Sequence, residues 1–169
     1  MALGMYAASV PVYLRQLGAI SKELDKASAW AAAKKVDEAV LLGTRLVPDM
    51  LPLGRQVQIA CRFAEESTAR LAGNEVPKAP ENAEKTLGEL RGRIDAVLGY
   101  LKGFKADQIN GSEDREVTLT IAGNPLKLTG EQYLEHFAMA NFYFHCTTTH
   151  AILRQCGVEI GKRDFIGGI

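Results

Sequence analysis

The side chains best suited to chemistry are three histidines, His136, His145 and His150, and all fall within one helical pattern near the C-terminus. Imidazole is a common metal ligand, and helical bundles build metal sites from side chains on facing helices. Helical geometry limits that idea. At roughly 100° per residue, His145 lies on the opposite side of the helix from His136, and His150 also points away from His145. His136 and His150 share a face, but they stand fourteen positions apart, which is roughly 21 Å of helix. One ion cannot be chelated by any pair of them.

A helical wheel of this segment divides it into two faces. One carries Leu134, Phe137, Ala138, Asn141, His145, Thr148 and Ile152, an apolar stripe interrupted by three polar groups, and is expected to point inward. Asn141 and His145 stand at the i, i+4 spacing of helical ligand pairs, so Asn141, His145 and Thr148 have two readings. They form a pocket for a small ligand or a divalent metal, or they are buried polar groups bonded to one another and to their neighbours. Across the bundle, Gln56 is the candidate partner. It shares an inner face with Leu53, Ala60, Phe63 and Ser67, whereas Gln58 falls with Arg55, Arg62 and Glu65 on a side expected to be solvated. Neutral amides are weak transition-metal ligands, so Gln56, Asn141 and His145 supply one strong donor, His145. Asp49, just before that helix, is the nearest carboxylate and can equally serve as a cap.

The second face carries Gln132, His136, Met139, Tyr143, Cys146, His150 and Arg154, too apolar and aromatic for a simple solvated surface. Either a second copy of the chain or the chain's own tail should cover it. A homodimer through His136, Met139, Tyr143, Cys146 and His150 is the favoured arrangement, since two-fold dimers are the commonest oligomers.

Other chemistries find less support. Cys61 and Cys146 invite a Cys–His nucleophile, but neither starts a helix, where a thiol pKa falls, and cysteine is commonly a small buried apolar group. The glycines show no phosphate-cradling spacing after a strand. Lys162–Asp164 can hold an anion or form a surface ion pair. Twenty basic residues balance twenty acidic ones, which argues against nucleic acid as a partner. No apolar run is long enough to span a membrane, no signal-type segment opens the chain, and three widely spaced cysteines fit a reducing compartment, so a cytoplasmic location is expected.

These residues need a scaffold of four long helices. Val10, Tyr13, Leu14, Leu17, Ile20 and Leu24 mark the first, with Ser9 as cap and Pro11 in its first turn. An alanine-rich stretch around Trp30 continues or restarts it. A short helix begins at Asp37 and runs through Leu42, residues 43–48 break it, and the second long helix runs over 52–71 before Gly73. The polar, proline-containing GNEVPKAPEN (73–82) reads as a loop crossing the end of the bundle. Leu87, Leu90, Ile94, Val97, Leu98 and Leu101 define the third helix behind a Thr86 to Glu89 capping box. Period-two alternation at Val117, Leu119 and Ile121, then a turn at 122–125 into Leu126 and Leu128, predicts a hairpin. Thr129 and Gln132 open the fourth helix, which Gly157 closes. The tail GVEIGKRDFIGGI is expected to dock in order without forming another helix. With 47% hydrophobic residues in 169, the whole chain reads as a single domain, residues 1–169: an all-α four-helix bundle with a small β-hairpin before the last helix.

The segments MYAASVPVYL, PLGRQVQIACRFA and EQYLEHFAMANFYFHCTTTHAILRQCGVEIGKRDF together resemble an uncharacterised bacterial family of the DinB/YfiT-like four-helix-bundle superfamily, over essentially the whole chain. NFYFH and GKRDF are its specific marks. The resemblance implies a bundle, often dimeric, and in the wider superfamily a divalent metal held by one histidine on the second helix and two on the fourth at i, i+4. Some of those relatives are thiol-dependent transferases or isomerases. Here Gln56 stands where the second-helix histidine is expected and Asn141 at the earlier fourth-helix position, so His145 alone matches. The resemblance therefore points to a protein of unknown function with a degenerate metal or small-ligand pocket. The alternatives are a metal-dependent enzyme using His145 and a purely structural interaction protein.

Overall fold

The computed structural model describes residues 4–121 and 123–168, and its backbone is built around four long helices. The first, α1 (Met5–Lys34), is unbroken over 30 residues and joins the alanine-rich stretch to the preceding pattern. It begins at Gly4, earlier than expected, so Ser9 is no cap. Its hydroxyl instead donates to the Met5 carbonyl at 2.6 Å, and Pro11 lies inside the helix, where its ring nitrogen has no proton to offer the carbonyl four residues back.

Asp37 caps the short α2 (Glu38–Gly43) by accepting from the Ala39 N–H at 2.9 Å. The Glu38 carboxylate then accepts from Ser28 of α1 and from the Leu87 N–H at the start of α4 (Leu87–Lys102). Thr86 and Glu89 form the expected capping box. Between them, α3 (Leu53–Ala72) starts at Pro52, without a side-chain cap. A short α5 (Ala106–Ile109), too brief to leave a periodic signal, leads to the hairpin.

Strands β1 (Val117–Ile121) and β2 (Asn124–Leu128) pair antiparallel, with Val117 opposite Leu128 and Leu119 opposite Leu126. Ala122, in the expected turn, lies outside the described residues. Thr129 then caps α6 (Gly130–Gln132) through the predicted box with Gln132. Gly130 is required there, because a Cβ would lie 2.0 Å from the Ser112 carbonyl oxygen. The fourth long helix continues through a π-helical stretch, Tyr133–Ala138, into α7 (Met139–Gln155), and the left-handed Gly157 (φ 93°) follows its end.

The tail differs from expectation in one respect. It docks, but it contains a helix, α8 (Lys162–Ile166), whose N-terminal Gly161 N–H donates to Asp164 at 2.8 Å. This turn lies along α1, α7 packs mainly on α3, and α4 closes the bundle against α1 and α3. Leu17, Ile20 and Leu24 meet Val57, Ala64, Ile94, Phe142 and Leu153 in one continuous core. Among the described residues, no helix is long and apolar enough to cross a membrane.

Candidate functional site

Gln56 and His145 are brought together as expected. His145 Nδ1 lies 2.7 Å from Gln56 Oε1, and Gln56 Nε2 donates to the Leu51 carbonyl at 2.9 Å. Because that carbonyl can only accept, the amide NH2 is turned toward it and the amide oxygen toward the ring. Nδ1 therefore carries the proton, and neutral His145 keeps its lone pair on Nε2. Phe63 of α3 stacks on the imidazole with centroids 6.0 Å apart, and Phe144 meets it edge-on at 5.3 Å. His145 is only 8% exposed, and burial pushes its pKa down, favouring the neutral ring.

Asn141 and Thr148 do not join this pair. The Asn141 amide donates to the Phe137 carbonyl at 2.7 Å and the Thr148 hydroxyl to the Phe144 carbonyl at 2.8 Å, each one turn back on its own helix. Asp49 is exposed in the loop before α3.

The face expected to meet a partner is largely occupied by the chain itself. Cys146 is fully buried, Met139 and Tyr143 pack partly against the core, and His136 alone of the five is exposed. His150 Nδ1 sits 2.6 Å from Glu23 Oε1, and its ring meets Phe165 of α8 at 5.5 Å. The physical reason is that α7 is buried along a central stripe, Phe142, Cys146, Thr149 and Leu153, all 0% exposed, which runs between the two faces drawn on the wheel. The flank bearing His145 turns to α3 and the flank bearing His150 turns to α1.

Glu23 is the site residue that sequence reasoning missed. It is fully buried, its Oε2 has no hydrogen-bond partner among the described residues, and burial raises its pKa against the opposing pull of His150. The signal was available: Glu23 follows Ile20 by three and precedes Ala27 by four, inside the apolar stripe of α1. Gln58 was also misplaced. It is 5% exposed because the 73–86 connection folds over it, and it donates to Glu84 at 2.8 Å while accepting from Arg55 at 2.7 Å.

Residues 5–166 match the model of a family described as Domain of unknown function (DUF1993). The chain belongs to this family. The DUF1993 chain is also similar to a solved structure, the crystal structure of a DinB family member protein from Shewanella denitrificans, with a TM-score of 0.87 and 40% sequence identity over 97% of this chain and 92% of that one. The fold is thus a DinB-like helical bundle. No curated protein matches the chain.

The residues of this DUF1993 protein do not fit the divalent metal that the superfamily resemblance implies. His145 has no second strong donor beside it: the Gln56 oxygen is held by His145 itself and the Asn141 amide is bound to its own helix. Among the described residues, no group of three His, Cys, Asp or Glu side chains is placed to hold an ion. The thiols offer little nucleophilic chemistry either. Cys61 and Cys146 are buried and free, and burial pushes both pKa values up, keeping them protonated.

Proposed function

We propose that this DUF1993 protein is a small-ligand-binding bundle that performs no metal chemistry, with His145 as the recognition group, and that it works as a cytoplasmic homodimer. The observation that carries the reading is the relay from the Leu51 carbonyl through Gln56 to His145, which fixes one tautomer and reserves Nε2 as an acceptor. Phe63 stacks on the imidazole and Phe144 meets it edge-on, so the ring that carries this nitrogen has aromatic neighbours. Together they favour a small molecule with an aromatic or apolar body and one N–H or O–H donor. Two exposed apolar side chains adjoin the pair, Phe144 at 54% and Leu51 at 42%, and a second copy covering them would complete the site.

Phenol is a suitable probe. Titration into the 15N-labelled protein should shift the His145 ring nitrogens saturably, and a His145→Phe variant should abolish binding. A linear, non-saturating response would reject the ligand reading, and a monomer at micromolar concentration in sedimentation would reject the dimer. The bonding of Asn141 and Thr148 to their own helix favours a second reading, a structural interaction protein, which a failed titration would support.

A further inference from the structure

On the flank of α3 that turns toward α4, a cavity of about 170 Å³ lies between α3, α4 and the connection that joins them. Arg55, Arg62 and Arg93 line it, with Ile59 as an apolar wall and Ala79, Pro80 and Asn82 as its roof. No carboxylate is among the lining residues.

Each guanidinium is already held on one edge. Arg93 pairs through Nε with Glu84 and donates from Nη2 to the Glu81 carbonyl at 2.5 Å. Arg62 pairs through Nε with Glu66 and donates from Nη1 to the Pro77 carbonyl at 2.6 Å. Arg55 donates from Nη1 to the buried Gln58 at 2.7 Å, and Gln58 is anchored in turn on Glu84. Arg93 Nη1, Arg62 Nη2, and Nε and Nη2 of Arg55 make no hydrogen bond among the described residues. Glu84 and Glu66 pair with Arg93 and Arg62, and Glu65 also lies within reach of both charges, whereas Arg55 has a neutral amide as its hydrogen-bond partner among the described residues.

We propose that this cavity is a binding site for one small oxyanion group, a carboxylate or a phosphate, carried on a short apolar stem. Planar guanidinium groups match the oxygens of such anions bidentately, and partial burial strengthens the attraction relative to an exposed cluster. The side-chain Arg93–Glu84 pair is only 10% and 13% exposed, and Gln58 fixes Arg55 from beneath, so the donors are set before a ligand arrives. Arg55, the arginine of the three whose contact is an amide and not a carboxylate, calls for one anionic group, and Ile59 and Pro80 supply the surface for the stem. The α3 residues that line it are centred roughly 100° around the helix from Gln56 and Phe63, and none of the lining residues touches His145, so this site is distinct from the one proposed at His145.

The test uses the full chain, with inorganic phosphate and, separately, acetate titrated at ionic strength held constant with sodium chloride. The Arg55 and Arg93 Nε–H resonances should shift saturably, and affinity should fall about tenfold in Arg55→Gln, as expected for loss of a charged hydrogen-bonding partner. Arg55→Lys should restore part of it, and the melting temperatures of both variants should stay near that of the parent, since among the described residues Arg55 bonds to Gln58 alone. Stronger binding of phosphate assigns a phosphate ligand, and stronger binding of acetate a carboxylate. Shifts that follow ionic strength alone, or equal affinities in the parent and Arg55→Gln, would overturn the proposal.

Discussion

His145 and His150 stand on opposite flanks of the buried stripe of α7, the first bonded to Gln56 of α3 at 2.7 Å and the second to Glu23 of α1 at 2.6 Å. They stand five positions apart on the helix, and that rotation lets one helix address two neighbours. The two contacts differ in chemistry. His145 meets a neutral amide in an aromatic setting, whereas His150 meets a carboxylate whose second oxygen is buried without a partner.

The Glu23 contact should dominate local stability. His150→Ala leaves the buried carboxylate without its partner and is expected to cost about 3 kcal/mol in urea denaturation. Glu23→Gln keeps an acceptor for the ring and should cost less. The pH response follows from the raised pKa of Glu23, whose ordinary value is 4.5. The folded state holds this proton more tightly than the unfolded chain, so the contribution of Glu23 is present below pH 4.5 and lost as pH rises through the folded value. Relative to Glu23→Gln, the parent protein should therefore lose stability on going from pH 4 toward neutrality. A constant difference between the two across that range would contradict the assignment.

At His145 the sign reverses. Burial depresses its pKa below the ordinary 6.5, so the folded state resists protonation. Its contribution is present above pH 6.5 and lost as pH falls from there through the folded value. His145→Phe should flatten that part of the stability profile. Gln56→Leu leaves the Nδ1–H and the Leu51 carbonyl without their partner, with an expected cost of about 1–3 kcal/mol. Long-range 1H–15N spectra should show a single Nδ1–H tautomer in the parent and a mixture in Gln56→Leu.

The donor set leads to a prediction about metal. Protein purified without an affinity tag should carry less than stoichiometric Zn, Ni, Fe or Mn by elemental analysis, and adding zinc should leave the melting temperature unchanged. A stoichiometric ion lost in His145→Phe would restore the metal-dependent reading.

Local chemistry explains which parts were legible in the sequence. The boxes at Thr86 and Thr129 and the stop at Gly157 depend on residues within one turn of each other, so spacing alone specifies them. Gln56 was placed correctly because α3 has a strongly one-sided pattern. The failures are tertiary. On α7, α1 packs on one flank and α3 on the other, so the central stripe falls between the two faces of the wheel, and spacing alone does not say which neighbour covers each flank. Gln58 looked solvated because its cover comes from a connection more than fifteen residues downstream. The helix at 162–166 is too short to show a period, and its stability comes from docking.

That docking supplies the last prediction. α8 is held by three different contacts, two on α1 and one on α7: Lys26 to Asp164 at 2.7 Å, the Gln16 amide to the Phe165 carbonyl at 2.9 Å, and the Phe165 ring against His150 of α7. The ion pair is half-exposed on the lysine side, so Lys26→Met should change stability by less than about 1 kcal/mol. Removing residues 161–169 also withdraws the ring that shields His150, admitting water to the Glu23 pair. Hydrogen exchange should then rise along 16–27 of α1 and 146–153 of α7 while the α3–α4 half stays protected. The pH dependence assigned to Glu23 should shrink in the truncated chain, because hydration removes the desolvation that raises its pKa. If exchange rises uniformly across all four long helices, α8 supports the whole bundle, and the specific role assigned to it beside His150 fails.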